Sequence, residues 1–220
     1  MSAGQFRRFT YLVTSGNQVI PGIIGRIKSE GIQKQLKETG IFTFEIYQKE
    51  DTHFLLIDAE KHMNSAILNS TLLSVSIDFK AFHFESTPLD RIYKLEQKVV
   101  YAPTDGQLKT SVAPYKRFVW TLLLEPDLIE EYKSVHAMGM AWPEITANMK
   151  SVGVKDMEIY IHKDQVVLIM DTEPDFDLDE VGPKWQKLPR EEEWQAYVAK
   201  FQRTDPESSI QEKWQDMRPL

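Results

Sequence analysis

Cysteine is absent from all 220 residues, which removes disulfide staples, thiolate metal ligands and cysteine nucleophiles together. No run of 18 apolar residues occurs, so no stretch reads as a bilayer-spanning helix. Basic charge is short: the net charge is −7. The chain therefore lacks the basic footprint of a nucleic-acid grip and any polybasic reason to sit on an anionic membrane. The opening stretch from Met1 to Phe9 has neither the apolar segment nor the cleavage site of a secretory signal, and the expected location is cytoplasmic. Gly22 and Gly25 are not followed by a third glycine or a Lys-Ser/Thr pair, so they form no phosphate-binding loop. No His-x-x-x-His pair exists. His53 and His83 lie among apolar, strand-like residues and His62 in a polar turn, and no metal site is expected. The acidic run from Asp171 to Glu180 lacks the central glycine and closing glutamate of a calcium loop and reads as a solvated loop. Nothing resembles a nucleophile elbow or a paired-carboxylate glycosidase motif. What is present, 42% hydrophobic and 27% charged residues, describes a soluble globular protein of one large domain or two ordinary ones.

An internal repeat decides between one and two. Thr39-Gly40-Ile41-Phe42-Thr43-Phe44-Glu45-Ile46-Tyr47 aligns with Val152-Gly153-Val154-Lys155-Asp156-Met157-Glu158-Ile159-Tyr160 at an offset of 113. The same offset carries Leu55-Leu56-Ile57-Asp58-Ala59-Glu60 onto Leu168-Ile169-Met170-Asp171-Thr172-Glu173. Upstream, Arg8-Phe9-Thr10-Tyr11-Leu12 resembles Arg117-Phe118-Val119-Trp120-Thr121-Leu122 at a slightly shorter offset. Short matches in one order indicate two copies of one domain. The expected division is 1–101 for the first copy, 102–114 for a turn-rich linker and 115–220 for the second.

Within the first copy, Phe6 to Val13 reads as a strand and Gly25 to Lys37 as a helix. Ile41 to Gln48 and His53 to Asp58 form a hairpin, rich in β-branched and aromatic residues. Ser65 to Phe82 fits a helix, although Val75, Ile77 and Phe79 alternate like a strand; Leu95 to Tyr101 reads as the closing strand. The second copy repeats this with a strand from Lys116, helices from Asp127 and Trp142, and a hairpin over Val154 to Asp171. A helix from Glu191 to Phe201 and a closing strand from Ile210 to Met217 follow. The order is the split βαβ, or ferredoxin-like, arrangement, an α+β fold. One such sheet has a bare face, and two repeats pairing as an intramolecular dimeric α+β barrel would cover both.

Function is concentrated in Glu131 to His136 and the following Trp142-Pro143-Glu144. Pro126 and Asp127 open a helix on which Tyr132 and His136, four apart, share a face. Pro143 reopens a helix, since proline is tolerated only in a first turn. A phenol and an imidazole on one face, with an indole close behind, suit acid–base work on a polar ring; from spacing alone the commoner reading is that both are packing residues with satisfied polar tips. All five tryptophans (Trp120, Trp142, Trp185, Trp194, Trp214) fall in the second copy. An indole is usually core, and it is also the usual platform for the apolar face of a sugar.

Glu130-Glu131-Tyr132-x-x-x-His136, Trp142-Pro143-Glu144, Lys150-Ser151-x-Gly153, Ile159-Tyr160 and the Trp194-x-x-Tyr197 helix together resemble the L-rhamnose mutarotase family. The resemblance covers roughly Tyr115 to Leu220. It implies small ferredoxin-like domains that pair, and a cofactor-independent interconversion of the α and β anomers of a 6-deoxy sugar. It places the catalytic His on His136, the helix Tyr that contacts substrate on Tyr132 and a stacking Trp on Trp194; Trp142 and Tyr160 complete the expected substrate-binding set. The implied partner is a monosaccharide, with no nucleic acid and no membrane, and a homodimer is compatible with the pairing inside the chain. Departures exist. His136 to Trp142 is six positions where the family usually places four, so two residues within 137–140 must bulge. Met157 stands where a Tyr is common, and the usual double Trp is Trp194-Gln195. The matching stretch of the first copy, Val19 to Arg26, has no His, Tyr or Trp-Pro-Glu, which implies one active site per chain.

Ring opening removes the anomeric hydroxyl proton and delivers one to the ring oxygen. An imidazole, titrating near 6.5 when unperturbed, suits both transfers. Two other classes remain open at this point: a non-catalytic sugar-binding or regulatory relative, and a monooxygenase-like enzyme on the same barrel.

Overall fold

The strand-forming residues of each copy fold into a mainly antiparallel sheet whose central strands, Thr52–Glu60 and Gln165–Thr172, are buried along almost their whole length. The computed structural model describes residues 4–14, 19–84, 86–96, 98–203 and 214–220. In chain order the elements begin with β1 (Gln5–Thr14), α1 (Val19–Ile27), α2 (Glu30–Glu38), β2 (Ile41–Lys49), β3 (Thr52–Glu60) and α3 (Ser65–Val75). A short 3-10 helix (Ile77–Phe82), β4 (Asp90–Lys94) and β5 (Gln107–Thr110) follow. The second half runs β6 (Lys116–Leu123), α4 (Ile129–His136), α5 (Pro143–Ser151), β7 (Val154–His162) and β8 (Gln165–Thr172). It closes with α6 (Leu178–Trp185), α7 (Glu191–Ala199), β9 (Gln215–Asp216) and β10 (Arg218–Pro219).

The chain forms two compact units. The first comprises 1–90, 101–111 and 217–220, the second 91–100 and 112–216. The first unit's sheet has the order β10-β2-β3-β1-β5 and the second's β4-β7-β8-β6-β9, with β1 paired antiparallel to β3 and β5, and β6 to β8 and β9. Each sheet is thus a ferredoxin-like 2-3-1-4 core with one added strand beside its second member. The protein is α+β, built from two ferredoxin-like repeats.

The repeat extends to side chains and backbone irregularities. The bidentate pair Arg8–Asp58 (2.7 and 2.8 Å) recurs as Arg117–Asp171 (2.6 and 2.8 Å), each between residues directly opposite on neighbouring strands. The Tyr47 hydroxyl donates to Glu45 and, 113 residues on, the Tyr160 hydroxyl donates to Glu158. A bulge between Ile41 and Thr43 recurs between Val154 and Asp156. Gly40 and Gly153 both take positive φ, 84° and 98°, and their carbonyls accept from Glu60 and Glu173 respectively, each at 2.9 Å. A left-handed residue is needed there to turn from helix into strand, and glycine supplies it without a Cβ penalty.

The structure differs from the contiguous division expected from sequence. Residues 102–114 are not a bare linker: they contain β5, which pairs with β1. Leu95 to Tyr101 forms no strand among its described residues; the strand lies earlier, at β4, in the second unit's sheet. The chain end from Met217 belongs to the first unit. Strand pairing ignores sequence proximity, so contiguous boundaries could not anticipate this. The helix expected over Gly25 to Lys37 is two, broken at Lys28-Ser29, and Ser65 to Phe82 is an α-helix followed by a 3-10 turn, not a strand. Of the strand expected over Ile210 to Met217, 210–213 lie outside the described residues, and β9 covers Gln215–Asp216.

The first unit's core is filled by aromatic rings. Phe44 lies 5.2, 6.3 and 6.1 Å from Phe79, Phe82 and Phe84, centroid to centroid, and Tyr11 meets Phe84 edge-on at 5.0 Å. All five are buried.

Candidate functional site

The second unit forms a partly open cavity of about 430 Å³ between its helices and one face of its sheet, a volume suited to a small molecule. Side chains alternate along a strand, so Met157 and Ile159 of β7 and Leu168 and Met170 of β8 supply the floor. Trp120 of β6 continues it, and Tyr132, His136 and Trp194 form part of the wall.

α4 positions the two polar rings. A 3-10 turn over Pro126–Leu128 leads into it, Glu130 and Glu131 lie at its positive end, and the i, i+4 spacing sets the Tyr132 and His136 rings 4.1 Å apart between centroids, tilted by 41°. Both are buried. His136 Nδ1 lies 2.8 Å from the Tyr132 carbonyl oxygen. A carbonyl only accepts, so Nδ1 carries the proton and Nε2 keeps its lone pair. Burial, opposed only by that carbonyl, pushes the imidazole pKa down to about 4, so the ring is neutral at pH 7. This departs from the near-neutral titration expected of a free imidazole, and desolvation of the charged form is the reason. Burial likewise raises the Tyr132 hydroxyl well above the usual phenol range, so that it keeps its proton.

The two-residue excess between His136 and Trp142 is absorbed outside the cavity. Ala137 to Met140 form a tight turn closed by Met140 N–H to the Ala137 carbonyl (2.9 Å), with Gly139 at φ 82° and Met138 and Met140 exposed. His136 stays buried.

Trp194 meets His136 edge-on at 5.7 Å. Trp142 is not part of the cavity lining; it packs behind Trp194 at 5.3 Å, stacks on Tyr197 at 6.0 Å, and carries the Arg190 guanidinium 3.9 Å above its ring. Tyr160 is not brought to the cavity at all. It shares strand parity with Glu158, opposite to Met157 and Ile159, and its hydroxyl donates to Glu158 Oε1 (3.1 Å), which also accepts from Arg91 (2.8 Å). Counting in twos from Met157 would have placed it on the far face.

Other lining residues escaped the sequence reading. Tyr93 reaches the cavity from β4 and meets His136 edge-on at 6.1 Å; its hydroxyl, facing Thr146, is pushed up to about 12 by burial. No sequence signal ties residue 93 to a repeat that starts more than twenty positions later. Glu191, first residue of α7, is buried at the wall, with Oε1 accepting from Trp185 Nε1 (2.9 Å) and Asn148 Nδ2 (3.0 Å). It stands among three consecutive glutamates, and nothing in the sequence sets it apart from the other two. Trp185 and Trp214 also line the cavity, as the confinement of indoles to the second copy hinted. Among the described residues no three His, Asp or Glu side chains converge as a metal centre requires, and no helix is long and apolar enough to cross a membrane.

A family model for L-rhamnose mutarotase matches residues 117–220. An L-fucose mutarotase from Xanthomonas campestris pv. campestris is 30% identical over 103 residues, spanning 46% of this chain and 82% of that protein. A UPF0734 protein from Dictyostelium discoideum is 32% identical over 109 residues, 47% of this chain and 86% of its own length. The crystal structure of an L-rhamnose mutarotase from Formosa agariphila aligns with 48% of this chain and 92% of its own at 20% identity and a TM-score of 0.34. A ferredoxin-fold protein from Listeria monocytogenes related to antibiotic biosynthesis monooxygenases aligns with 91% of this chain and 96% of its own at 7% identity and a TM-score of 0.38. At those TM-scores the assignment rests on the sequence matches. Through its second repeat, the chain belongs to the L-rhamnose mutarotase family.

Proposed function

We propose that the second unit is a cofactor-independent mutarotase, an isomerase that interconverts the α and β anomers of a 6-deoxy sugar such as L-rhamnose or L-fucose. The observation that carries this reading is the tautomer of His136. Its Nδ1–H is committed to the Tyr132 carbonyl, which leaves Nε2 a free acceptor on a side chain that lines the cavity.

The chemistry follows from that lone pair. Nε2 takes the proton from the anomeric hydroxyl as the bond from C1 to the ring oxygen breaks and C1 becomes an aldehyde carbonyl. The ring oxygen takes a proton as it leaves. The imidazolium so formed, in a site that disfavours its charge, is a willing donor and can return the same proton there. Rotation about the bond from C1 to C2 presents the other carbonyl face, and reclosure runs the same transfers in reverse. Tyr132, held protonated by burial, orients the ring by hydrogen bonding. Trp194 supplies an aromatic face for the sugar's C–H surface. The reaction is spontaneous in water, so a base positioned beside the anomeric hydroxyl suffices.

The test is NMR saturation exchange between the α and β anomeric protons of L-rhamnose and L-fucose. The wild-type chain accelerates exchange, and His136→Ala, folded by circular dichroism, loses at least about 100-fold of the catalysed rate. An undiminished rate in the folded variant would overturn the assignment of His136. The rate should hold from pH 8 to 5 and fall as pH drops through about 4, where the base takes its proton in the folded state.

A further inference from the structure

We infer that Glu191 is the sugar-recognition carboxylate of this cavity, accepting a hydrogen bond through Oε2 from one ring hydroxyl other than the anomeric one. The inference rests on the mutarotase reading above and adds to it the group that decides which sugar is held, and how.

Glu191 is only 2% exposed, and among the described residues its bonds come from neutral donors. A carboxylate is costly to bury unless its oxygens are satisfied. Oε1 is satisfied twice, by the Trp185 indole N–H and the Asn148 amide; Asn148 is held in turn by donating to the Pro189 carbonyl at 2.9 Å. These bonds lock the carboxylate at the junction of α5, α6 and α7. No described group bonds Oε2, and the residue lines the cavity. An acceptor oxygen held in place among indoles and aliphatic side chains, on a lining that also carries Gln195, Gln202 and Asp216, matches a ligand that offers O–H donors at its edge and C–H groups on its faces. A pyranose is such a ligand. His136 Nε2 serves the anomeric hydroxyl, so a second fixed acceptor fixes which face and which end of the ring reaches it. A purely structural clasp would need Oε1 alone.

Glu191→Gln separates the two roles, because the amide oxygen can still accept from Trp185 and Asn148 while an N–H₂ donor replaces Oε2. With whichever of L-fucose and L-rhamnose the wild type exchanges faster, KM should rise at least tenfold and kcat stay within about threefold, with an unchanged thermal midpoint. Equal KM in active wild type and variant would overturn the role of Glu191 and leave the mutarotase reading standing. Should the wild type bind sugar by saturation-transfer NMR without exchanging it, the mutarotase reading fails. The same tenfold weakening by Glu191→Gln then supports the carboxylate, and equal binding overturns it. Neither exchange nor binding overturns both. A second readout needs no variant. Among analogues of the better sugar that lack one hydroxyl at a time, a single one should lose at least about 100-fold in kcat/KM, since it leaves a buried carboxylate oxygen unpaired. Uniform losses below tenfold overturn the inference.

Discussion

The two repeats share a backbone and its polar clasps, yet they use their interiors in opposite ways. Tyr11 in the first unit and Trp120 in the second hold matching places on the first strand, each paired with the matching leucine, Leu55 or Leu168. Phe44 and Met157 match on the second strand. Above Tyr11 and Phe44, the rings of Phe79, Phe82 and Phe84 fill the space to near-complete burial. Above Trp120 and Met157 lies the cavity, with His136, Tyr132 and Glu191 around it. An open interior comes at a cost in packing. A filled core gains dispersion and hydrophobic burial; an open one forgoes them and must hold buried polar groups in place. Carrying one repeat of each kind leaves the chain one filled core and one open cavity.

That contrast can be broken or sharpened by measurement. The largest effect is expected from Phe84→Ala, which should cost about 3–5 kcal/mol in urea unfolding because it empties a packed aromatic cluster. Trp194→Ala, which widens a space already open, should cost less than half of that while raising KM for sugar. Similar stability losses at both sites would show that the second unit's cavity is closed in solution. Acidification gives the next largest. His136 is neutral in both states above pH 6.5; between 6.5 and 4 the unfolded chain takes a proton that the folded one refuses, and stability falls. The loss reaches about 3 kcal/mol near pH 4. His53 in the first unit is lowered in the same direction by burial, so His136→Gln should remove the second unit's share of the slope and leave the rest. A variant as acid-sensitive as wild type would place the depression elsewhere. The smallest effect is reserved for the pair that the repeats share. Tyr47→Phe and Tyr160→Phe each delete one hydroxyl bonded to a glutamate, and each should cost about 1 kcal/mol of stability. Tyr160→Phe should leave sugar exchange within twofold of wild type. A tenfold loss would mean that the far face of the sheet takes part in catalysis.

Much of the fold was legible because its signals are local. Strand alternation around Gly40 and Gly153, the hairpins and the proline helix starts each depend on neighbours in sequence. The helix bearing Tyr132 and His136 was legible for the same reason: four residues make one turn. Tyr160 shows the limit within reach of sequence, since its parity, opposite to that of Met157, puts it on the other face of the strand. Tyr93 and Glu191 show the limit beyond it. One arrives on a strand that precedes its unit's other strands by more than twenty residues. The other is set apart from Glu192 and Glu193 only by the donors, Asn148 and Trp185, that helix packing brings to it.

By itself the sequence determined that there are two α+β repeats, that the family motifs belong to the second, and that an imidazole and a phenol share one helical face. These follow from periodicity and from residue types that only one copy possesses. Tertiary structure alone decided which strands complete each sheet, that phenylalanines close the first interior, and that His136 is neutral with Nε2 free. Each of those depends on what non-neighbouring residues bring together: hydrogen-bond partners, packing volume and the exclusion of water.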